Sequence, residues 1–181
     1  MNTEEFAKTK IGQLFIRIMA SIMESRFRYR FFEPMKIIKG ADIHPGDDVL
    51  ELGCGTGYFT IPMARFMGGK GSLTAIDILP ESIETVTKKV QMANLRNVRV
   101  FKGDALNLQL ESESMDVIIL FGVIPAPMLP MDKLLPEMHR ILKPGGKIVV
   151  WPPIGVHKPI LQSHLFSFLS KQNNVLTYKR I

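Results

Sequence analysis

The sequence predicts an α/β fold with a doubly wound, mostly parallel sheet flanked by helices. Apolar runs of five or six residues alternate with longer segments in which apolar residues recur every three or four positions, a pattern typical of parallel strands joined by helices. Residues 116–121 are nearly all apolar, as expected of a strand covered on both faces. Clusters of glycine and proline at 45–46, 68–69 and 144–146 separate the segments.

The first predicted element is an amphipathic helix over residues 4–24, where apolar residues recur at three- and four-residue spacing from Ile11 to Ile22. Residues 26–32 then alternate arginine with aromatic side chains. Such a run can stack on nucleic-acid bases, or it can cover an apolar body while its charged tips stay in water. These seven residues are too few for a nucleic-acid groove, so we expect a packing role and assign residues 1–40 to an N-terminal helical cap.

Residues 41–181 form the main predicted domain, in which strands and helices alternate. The glycines at 68–69 are expected to end one helix, and Pro80 suits the first turn of the next. The predicted strands are 48–52, 72–77, 98–102, 116–121, 147–151 and a last one near 175–180. The predicted helices are 57–67, 81–94, 131–142 and 158–171.

The most informative segment begins at residues 49–57, which read Val-Leu-Glu-Leu-Gly-Cys-Gly-Thr-Gly. A predicted strand thus carries the acid Glu51 near its end and leads into three glycines, which let the backbone turn tightly and a ligand approach closely. The helix that follows offers free N–H groups to a carboxylate. Asp77, twenty residues after Gly57, ends the next predicted strand, where an acid can accept hydrogen bonds from ribose hydroxyls. The segment therefore predicts a nucleoside site.

The glycine spacing argues against a site for phosphate groups. Dinucleotide sites read G-x-G-x-x-G, whereas the third glycine here, Gly57, comes one residue early. Gly69 and Lys70 are followed by Gly71, which excludes the nucleotide loop G-x-x-x-x-G-K-[ST]. A nicotinamide-dependent dehydrogenase is therefore a weaker hypothesis, which tight dinucleotide binding would revive.

The composition narrows the class of protein further. A single cysteine, Cys54, excludes an internal disulfide, and the four histidines show no metal-ligand spacing, so we expect no metal. The N-terminus lacks the pattern of a signal peptide, and the longest apolar stretch, 11–23, is interrupted by polar residues. We therefore expect a cytoplasmic protein.

The net charge of +6 is concentrated at the two ends of the chain. Residues 1–40 carry eight basic and four acidic side chains, and residues 151–181 carry four basic and no acidic ones. Such flanks can attract an anionic partner or a membrane surface, or they can be an ordinary solvated basic surface. Binding of RNA would rest on this charge alone, so we expect no nucleic-acid partner. Peripheral membrane contact through the N-terminal helix stays open.

Four motifs occur in register along residues 43–153. They are the glycine segment at 49–57, Ala-Ile-Asp at 75–77, Gly-Asp-Ala at 103–105, and Leu-Pro-Glu-Met-His-Arg-Ile-Leu-Lys-Pro-Gly-Gly at 135–146. With these motifs the chain resembles the class I S-adenosylmethionine-dependent methyltransferases. The resemblance implies a Rossmann-like methyltransferase fold, S-adenosyl-L-methionine as cofactor, and transfer of a methyl group.

The resemblance also implies the cofactor-binding residues. These are Glu51, Gly53, Cys54, Gly55, Gly57, Asp77, Ile78, Asp104, Ala105, Phe121 and Gly122. The first motif would hold the methionine part of the cofactor. Asp77 would bind the ribose, and Ile78 would pack on the face of the adenine. The acid of the third motif would accept from the adenine amino group, and the Ala105 N–H would meet the ring. On local grounds Glu51 can equally be an ordinary strand-end acid, Asp104 a turn former, and Cys54 a small buried residue.

Methyl transfer from a sulfonium needs positioning and exclusion of water more than it needs a catalytic residue. His157 is a weak candidate for a general base, with a capping or surface role as the alternative. The loops at 123–130 and 151–155 are poor in polar groups, which favours an apolar small-molecule acceptor. The motifs are similar to those of ubiquinone/menaquinone-type methyltransferases, which implies a lipid- or quinone-like acceptor. The alternative is a catalytically silent cofactor-binding module that acts through a partner protein.

The end of the chain departs from the family pattern, in which two late strands complete the sheet. About ten residues follow the last predicted helix at 158–171, enough for one strand. We therefore expect an open sheet edge, which association into a homo-oligomer could cover.

Overall fold

A computed structural model of the protein describes residues 33–123, 130–152 and 155–181, together with Thr9. The predicted helix at 4–24 and the arginine–aromatic run at 26–32 lie outside these described residues. The N-terminal helical cap and its membrane contact therefore stay predictions.

The described chain contains five helices and seven strands. The helices are α1 (Pro34–Gly40), α2 (Thr60–Met67), α3 (Pro80–Met92), α4 (Met131–Ile141) and α5 (His157–Gln162). The strands are β1 (Asp48–Leu52), β2 (Ser72–Asp77), β3 (Val98–Lys102), β4 (Met115–Phe121), β5 (Leu142–Trp151), β6 (Phe166–Gln172) and β7 (Val175–Arg180).

All seven strands form one sheet in the order β3-β2-β1-β4-β5-β7-β6. The pairs among β1 to β5 are parallel, and β7 runs antiparallel to both β5 and β6. Along the chain, β2 and β3 are added on one side of β1. The chain then returns to the other side of β1, where β4 and β5 are added. The carboxyl ends of β1 and β4 therefore flank the switch point at which open α/β sheets bind ligands. The predicted doubly wound, mostly parallel sheet is confirmed.

Helices cover both faces of the sheet. Because successive residues of a strand point to opposite faces, Leu50 and Val49 belong to different cores. One core packs β1, β4 and β5 against α4 and α5, as in the contact group of Leu50, Ile118, Ile148, Met138 and Ile160. The other packs them against α1 and α2, as in the group of Val49, Ile119, Val149, Ile38 and Met63. All ten side chains are 0% exposed, and each contributes about 1.5–3 kcal/mol by burial. The two cores hold the strand ends of the switch point rigidly in place.

The prediction of a helix over 158–171 and of a single last strand was wrong. Helix α5 ends at Gln162, His164 takes a left-handed φ of 56°, and β6 begins at Phe166. Apolar residues at three- and four-residue spacing imitate a helix in this segment, but pairing with β7 along most of its length makes it a strand. The sheet thus has the two late strands of the family pattern, with β6 at its edge. Association into a homo-oligomer stays a prediction.

Two predicted elements begin three or more residues away from their predicted starts, for local reasons. Helix α2 begins at Thr60 instead of residue 57, because Gly57 has a φ of +82° and its N–H is bound to Cys54 O at 2.9 Å. Strand β5 begins at Leu142 instead of residue 147. Met115 pairs with Leu142 and Val117 pairs with Lys147. Between these pairings β4 has one residue and β5 has four, so residues 143–146 bulge from the ladder. Within the described ranges, no helix is long and apolar enough to cross a bilayer.

Candidate functional site

The carboxyl ends of β1, β2 and β4 bring the predicted site residues to one edge of the sheet. Glu51 pairs with Ala75 on one side and Ile119 on the other. Asp77 is the last residue of β2, and Phe121 is the last residue of β4. The strand-end residues named from separate motifs therefore lie side by side at the switch point.

The glycine turn after β1 is fastened to the end of β2. The N–H groups of Gly53 and Cys54 both donate to Ile76 O, at 2.8 and 3.0 Å. The Gly55 N–H donates to Asp77 Oδ2 at 2.8 Å. The first and second sequence motifs are thus one hydrogen-bonded unit.

Glycine is required in this turn for two different reasons. Gly53 has a φ of +71°, and a Cβ there would lie 2.7 Å from Cγ2 of Val123. The side chain of Val123, which follows β4, therefore packs directly against the Gly53 backbone. Gly55 has a φ of +53°, and a Cβ there would meet no atom of the described residues within 4 Å. Within this part of the chain the backbone at Gly55 borders open space, where a ligand could approach it closely.

The Asp77 carboxylate is held by two backbone donors. Its Oδ1 accepts from Leu79 N at 2.9 Å and its Oδ2 from Gly55 N at 2.8 Å. The Ile78 backbone and the Ser82 side chain also interact with this carboxylate. Each carboxylate oxygen has two lone pairs, so the group has capacity beyond the bonds to Leu79 and Gly55. Burial raises the pKa of Asp77, and the backbone donors of Leu79 and Gly55 oppose that rise.

Glu51 is a carboxyl group enclosed by the protein. It is 2% exposed, and its Oε2 accepts a hydrogen bond from the Thr60 hydroxyl at 2.6 Å. Burial raises the pKa of Glu51 to about 8; the Thr60 hydroxyl opposes this rise, and the nearby Asp77 charge adds to it. The carboxyl group is therefore mostly neutral at pH 7. A cationic ligand beside it would favour the charged form.

Cys54 is a packing residue. Its side chain is 4% exposed and lies in a small core group with Ala75, Val86 and Val90. Burial raises the pKa of the Cys54 thiol, and the charges of Glu51 and Asp77 raise it further. The thiol is therefore not a nucleophile, which agrees with its interpretation as a small buried residue.

The Gly-Asp-Ala motif follows β3 and adjoins Asp77 through the backbone, since Gly103 N donates to Asp77 O at 3.0 Å. Asp104 is exposed, and its Oδ1 accepts from Leu106 N at 2.9 Å. The local interpretation of Asp104 as a turn former is therefore realised. This does not exclude a ligand, because an aspartate carboxylate has about four lone-pair sites. Ala105 is half-buried in this turn, and Ile78, half-buried too, directly follows Asp77.

Phe121 and Gly122 mark the end of β4. The Phe121 ring is 3% exposed and contacts Phe59 edge-on at 4.9 Å, so it packs into the core beneath α2. Gly122, with a φ of +74°, turns the chain away and donates its N–H to Trp151 O at 2.6 Å. At this strand end the edge is therefore formed by backbone and by Val123.

The structure places His157 away from this group of residues. Its Nδ1 lies 2.7 Å from the Tyr178 hydroxyl oxygen, and its ring contacts Phe168 at 5.5 Å. Tyr178 belongs to β7, three strands from β1 in the sheet. Three strand spacings put β7 about 14 Å from β1.

Sequence reasoning missed Thr60 and the contact of Val123 with Gly53. Thr60 is the first residue of α2 and completes the hydrogen bonding of Glu51; the single signal for it was a hydroxyl residue at the start of a helix. Val123 packs over Gly53, and no local pattern indicates that contact. Among the described residues, no cluster of His, Cys, Asp and Glu has the arrangement of a metal site.

The donor and acceptor set indicates what the cleft can hold. Asp77 binds the open stretch of backbone at Gly55, and the enclosed Glu51 lies close enough to Asp77 for that charge to raise the pKa of Glu51. Carboxyl groups suit a cation and hydroxyl donors, whereas they repel phosphate groups. The arrangement therefore fits a ligand with an ammonium group and neighbouring hydroxyls.

Comparisons with known proteins point the same way. A family described as a methyltransferase domain matches residues 43–174. The demethylmenaquinone methyltransferase of Lactobacillus johnsonii is 30% identical over 141 residues, which cover 77% of this chain and 54% of that protein. The Staphylococcus aureus protein of the same name is 35% identical over 117 residues, covering 63% and 46%. The chain thus spans about half the length of the curated relatives it matches.

Solved structures share the fold at low sequence identity. A SAM-dependent methyltransferase from Aquifex aeolicus superposes with a TM-score of 0.70 at 22% identity, covering 90% of this chain and 96% of that one. A geranyl diphosphate methyltransferase in complex with SAM superposes with a TM-score of 0.67 at 11% identity, covering 82% and 84%. These likenesses establish the architecture of the sheet and its helices.

Proposed function

The chain belongs to the methyltransferase-domain family, and from that premise we propose that it transfers a methyl group from S-adenosylmethionine to a small, apolar, quinone-like acceptor. One observation carries the proposal. The glycine turn, Glu51 and Asp77 are joined at the switch point of the sheet, through Gly55 N to Asp77 Oδ2 and Thr60 Oγ1 to Glu51 Oε2.

The proposed roles follow the chemistry of each group. Glu51 faces the ammonium group of the cofactor, and the backbone around Gly55 faces its carboxylate. Asp77 accepts hydrogen bonds from the two ribose hydroxyls. It does so with the lone pairs that the N–H groups of Leu79 and Gly55 do not occupy. Ile78 packs on the adenine ring. The cofactor has no phosphate, which suits a cleft flanked by two acidic groups.

The Asp104 turn completes the adenosine site in this proposal. Asp104 accepts from the adenine amino group, and the Ala105 N–H meets the ring. Its closeness to the ribose site is supported by the bond from Gly103 N to Asp77 O.

For this reaction the protein must align the acceptor with the methyl group and exclude water. Bound S-adenosylmethionine supplies an electrophilic methyl group on a sulfonium. The sulfur becomes a neutral thioether when the methyl group is transferred to the acceptor. Glu51 and Asp77 fix the two ends of the cofactor, and Val123, which packs over Gly53, presents an apolar surface beside it. A base is needed where the acceptor must lose a proton.

Two observations support an apolar acceptor. Residues 123–130 and 151–155 follow the strand ends next to the cofactor site and are poor in polar groups. The relatives from Lactobacillus johnsonii and Staphylococcus aureus are named demethylmenaquinone methyltransferases. An acceptor of this kind is carried by membranes, so the proposal extends to peripheral membrane contact through residues 4–24.

The test is transfer of labelled methyl groups from S-adenosylmethionine to a short-chain demethylated menaquinone, followed by extraction into organic solvent. We expect label in the quinone with the unaltered chain and a strong loss with Asp77→Ala. Asp42→Asn is the control, because Asp42 is an exposed acid whose Oδ2 contacts Lys147 at 3.0 Å near the opposite edge of the sheet. No transfer to quinones or other apolar acceptors, despite tight cofactor binding, would overturn the enzymatic part and favour a silent module.

Membrane contact has a separate test. Vesicles containing anionic lipid should carry the protein into the pellet on centrifugation, and removal of residues 1–32 should abolish that. Equal sedimentation of both forms would contradict the role of the N-terminal segment.

A further inference from the structure

Residues 103–114 connect β3 to β4 without a helix or strand of their own. Connections of about 12–15 residues or more with no secondary structure are uncommon in compact domains and are usually either functional or disordered. This one carries Asp104 and Ala105, the proposed adenine contacts. What holds it in place therefore bears on cofactor recognition.

Arg140 of α4 uses all five of its N–H donors, and three of them bind this loop. A guanidinium group has five donors in a fixed planar arrangement. Two of them meet Glu137, and three meet loop acceptors at Leu108, Leu110 and Ser112. The bonds are Nε to Glu137 Oε2 at 2.9 Å, Nη2 to Glu137 Oε1 at 2.8 Å, Nη2 to Leu108 O at 3.1 Å, Nη1 to Leu110 O at 2.9 Å and Nη1 to Ser112 Oγ at 3.1 Å.

Glu137 adds a contact of its own. Its Oε1 accepts from Leu108 N at 2.8 Å, so both backbone groups of Leu108 are bound to α4. The Leu108 side chain is 3% exposed and lies in the core beneath that helix. Leu108 is therefore a fixed point of the loop.

The Asp104 turn lies between two such fixed points. At its start Gly103 N is bound to Asp77 O at 3.0 Å, and a Cβ on Gly103 would lie 2.6 Å from Ile76 Cγ2, so this end fits closely against β2. At its end lies Leu108. Between them the turn is closed by its own hydrogen bonds to Asp104. The direction of the Asp104 carboxylate is consequently set by α4 as well as by β2.

We propose that Glu137 and Arg140 are positioning residues that hold Asp104 and Ala105 against the adenine of the cofactor and thereby set the selectivity for that base. The inference rests on the proposed function, because it needs adenine to lie at Asp104. It adds a role for two residues of the 135–146 motif, which that function left without one.

The experiment compares two ligands by calorimetry, S-adenosylhomocysteine and S-inosylhomocysteine. The second lacks the adenine amino group that Asp104 would accept from. The unaltered chain should prefer the first, and Arg140→Gln should lower that preference about fivefold to tenfold, the worth of roughly one hydrogen bond. Arg180→Gln is the matched control, since Arg180 Nη1 contacts Glu113 Oε1 at 3.0 Å and holds the far end of the same loop. It should lower thermal stability while leaving the preference unchanged.

Hydrogen exchange without any ligand gives a second readout. The amides of residues 104–108 should exchange faster in Arg140→Gln and at the original rate in Arg180→Gln. If Arg140→Gln does not fold, Glu137→Gln replaces it, because a glutamine oxygen can still accept from Leu108 N while the charged contact to Arg140 is lost.

The outcomes separate the two proposals. Failure of the unaltered chain to bind S-adenosylhomocysteine overturns the proposed function. Binding with equal affinity for both ligands overturns the role of Asp104 and this inference with it. An unchanged preference and unchanged exchange in a folded Arg140 variant overturn this inference alone.

Discussion

The Thr60 hydroxyl donates to the carboxyl group of Glu51 at 2.6 Å, in an environment where both side chains are almost fully enclosed. An acid in such a place has a folded-state pKa far from its usual value, because burial disfavours the charged form. Here burial raises the pKa of Glu51 to about 8. Two predictions rest on this pair.

The free protein should become less stable as the pH rises toward 8. A raised folded-state pKa means that the folded protein binds a proton that the unfolded chain, in which a glutamate has its ordinary pKa of 4.5, has already lost. The contribution of Glu51 to stability is complete below pH 4.5 and disappears as the pH passes about 8, at about 1.4 kcal/mol per pH unit in between. Urea unfolding between pH 5.5 and about 8.5 measures it. In Glu51→Gln the free energy of unfolding should vary less with pH, and curves parallel to those of the unaltered chain would contradict the assignment.

Cofactor binding should release a proton. The ammonium group proposed to lie beside Glu51 favours the carboxylate, so the neutral acid must ionise on binding. Affinity should therefore rise with pH up to about 8, by as much as about tenfold per unit. Calorimetry at pH 7 in buffers of different ionisation enthalpy counts the proton. Glu51→Gln should bind more weakly and release none, and Glu84→Gln, which alters an exposed acid paired with Lys88, is the control.

Asp77→Ala should weaken binding of S-adenosylhomocysteine by roughly 1.5–3 kcal/mol, the range for hydrogen bonds to a charged group. Because Asp77 also holds the backbone of Gly55 and Leu79, this loss alone does not identify its ligand contact. An analogue lacking the 2′ and 3′ hydroxyls resolves the ambiguity. The variant and the unaltered chain should bind that analogue with similar affinity; an equal penalty for both ligands would assign Asp77 to the turn alone.

Gly55→Ala and Gly46→Ala should have similar effects on folding and different effects on binding. Both glycines have positive φ, +53° and +104°, and at neither would a Cβ meet an atom of residues 33–123, 130–152 or 155–181 within 4 Å. Each substitution should cost about 1–2 kcal/mol of stability from backbone strain. Gly55 borders the cleft and Gly46 the opposite edge of the sheet, so calorimetry should show weakened cofactor binding for Gly55→Ala only. Equal affinities would place the ligand elsewhere.

His157→Ala should retain methyl transfer to within about tenfold, whereas loss of a general base costs about 10²–10⁴. The reason is its position, since the imidazole is bound to Tyr178 at 2.7 Å on the antiparallel side of the sheet. The measurement is the initial rate with saturating cofactor. A fall of a hundredfold in a folded variant would restore His157 as the base.

Much of the sheet could be predicted because local patterns decide it. The bounds of β1, β2 and β3 match the predicted 48–52, 72–77 and 98–102, since each apolar run is limited by polar or turn-forming residues. The closeness of Glu51 to Asp77 also followed, because the carboxyl ends of adjacent parallel strands meet at one edge.

The remainder depends on contacts between distant parts of the chain. The bond between Arg140 and Leu110 spans 30 residues, and no spacing in the sequence encodes it. Strand β6 was mistaken for helix because Phe168 and Leu169 are exposed at the sheet edge, so the alternation of a half-buried strand is missing. Tertiary pairing decided the structure of that segment.

The position of β7 between β5 and β6 has a consequence for synthesis on the ribosome. In the described chain β6 pairs with β7, and β5 accepts β7 on its outer side. Strand β6 emerges first, yet it has no place in the sheet until the strand after it has been made. The nascent chain therefore carries an unpaired edge at β5 and an unpaired β6 segment until β7 has left the exit tunnel.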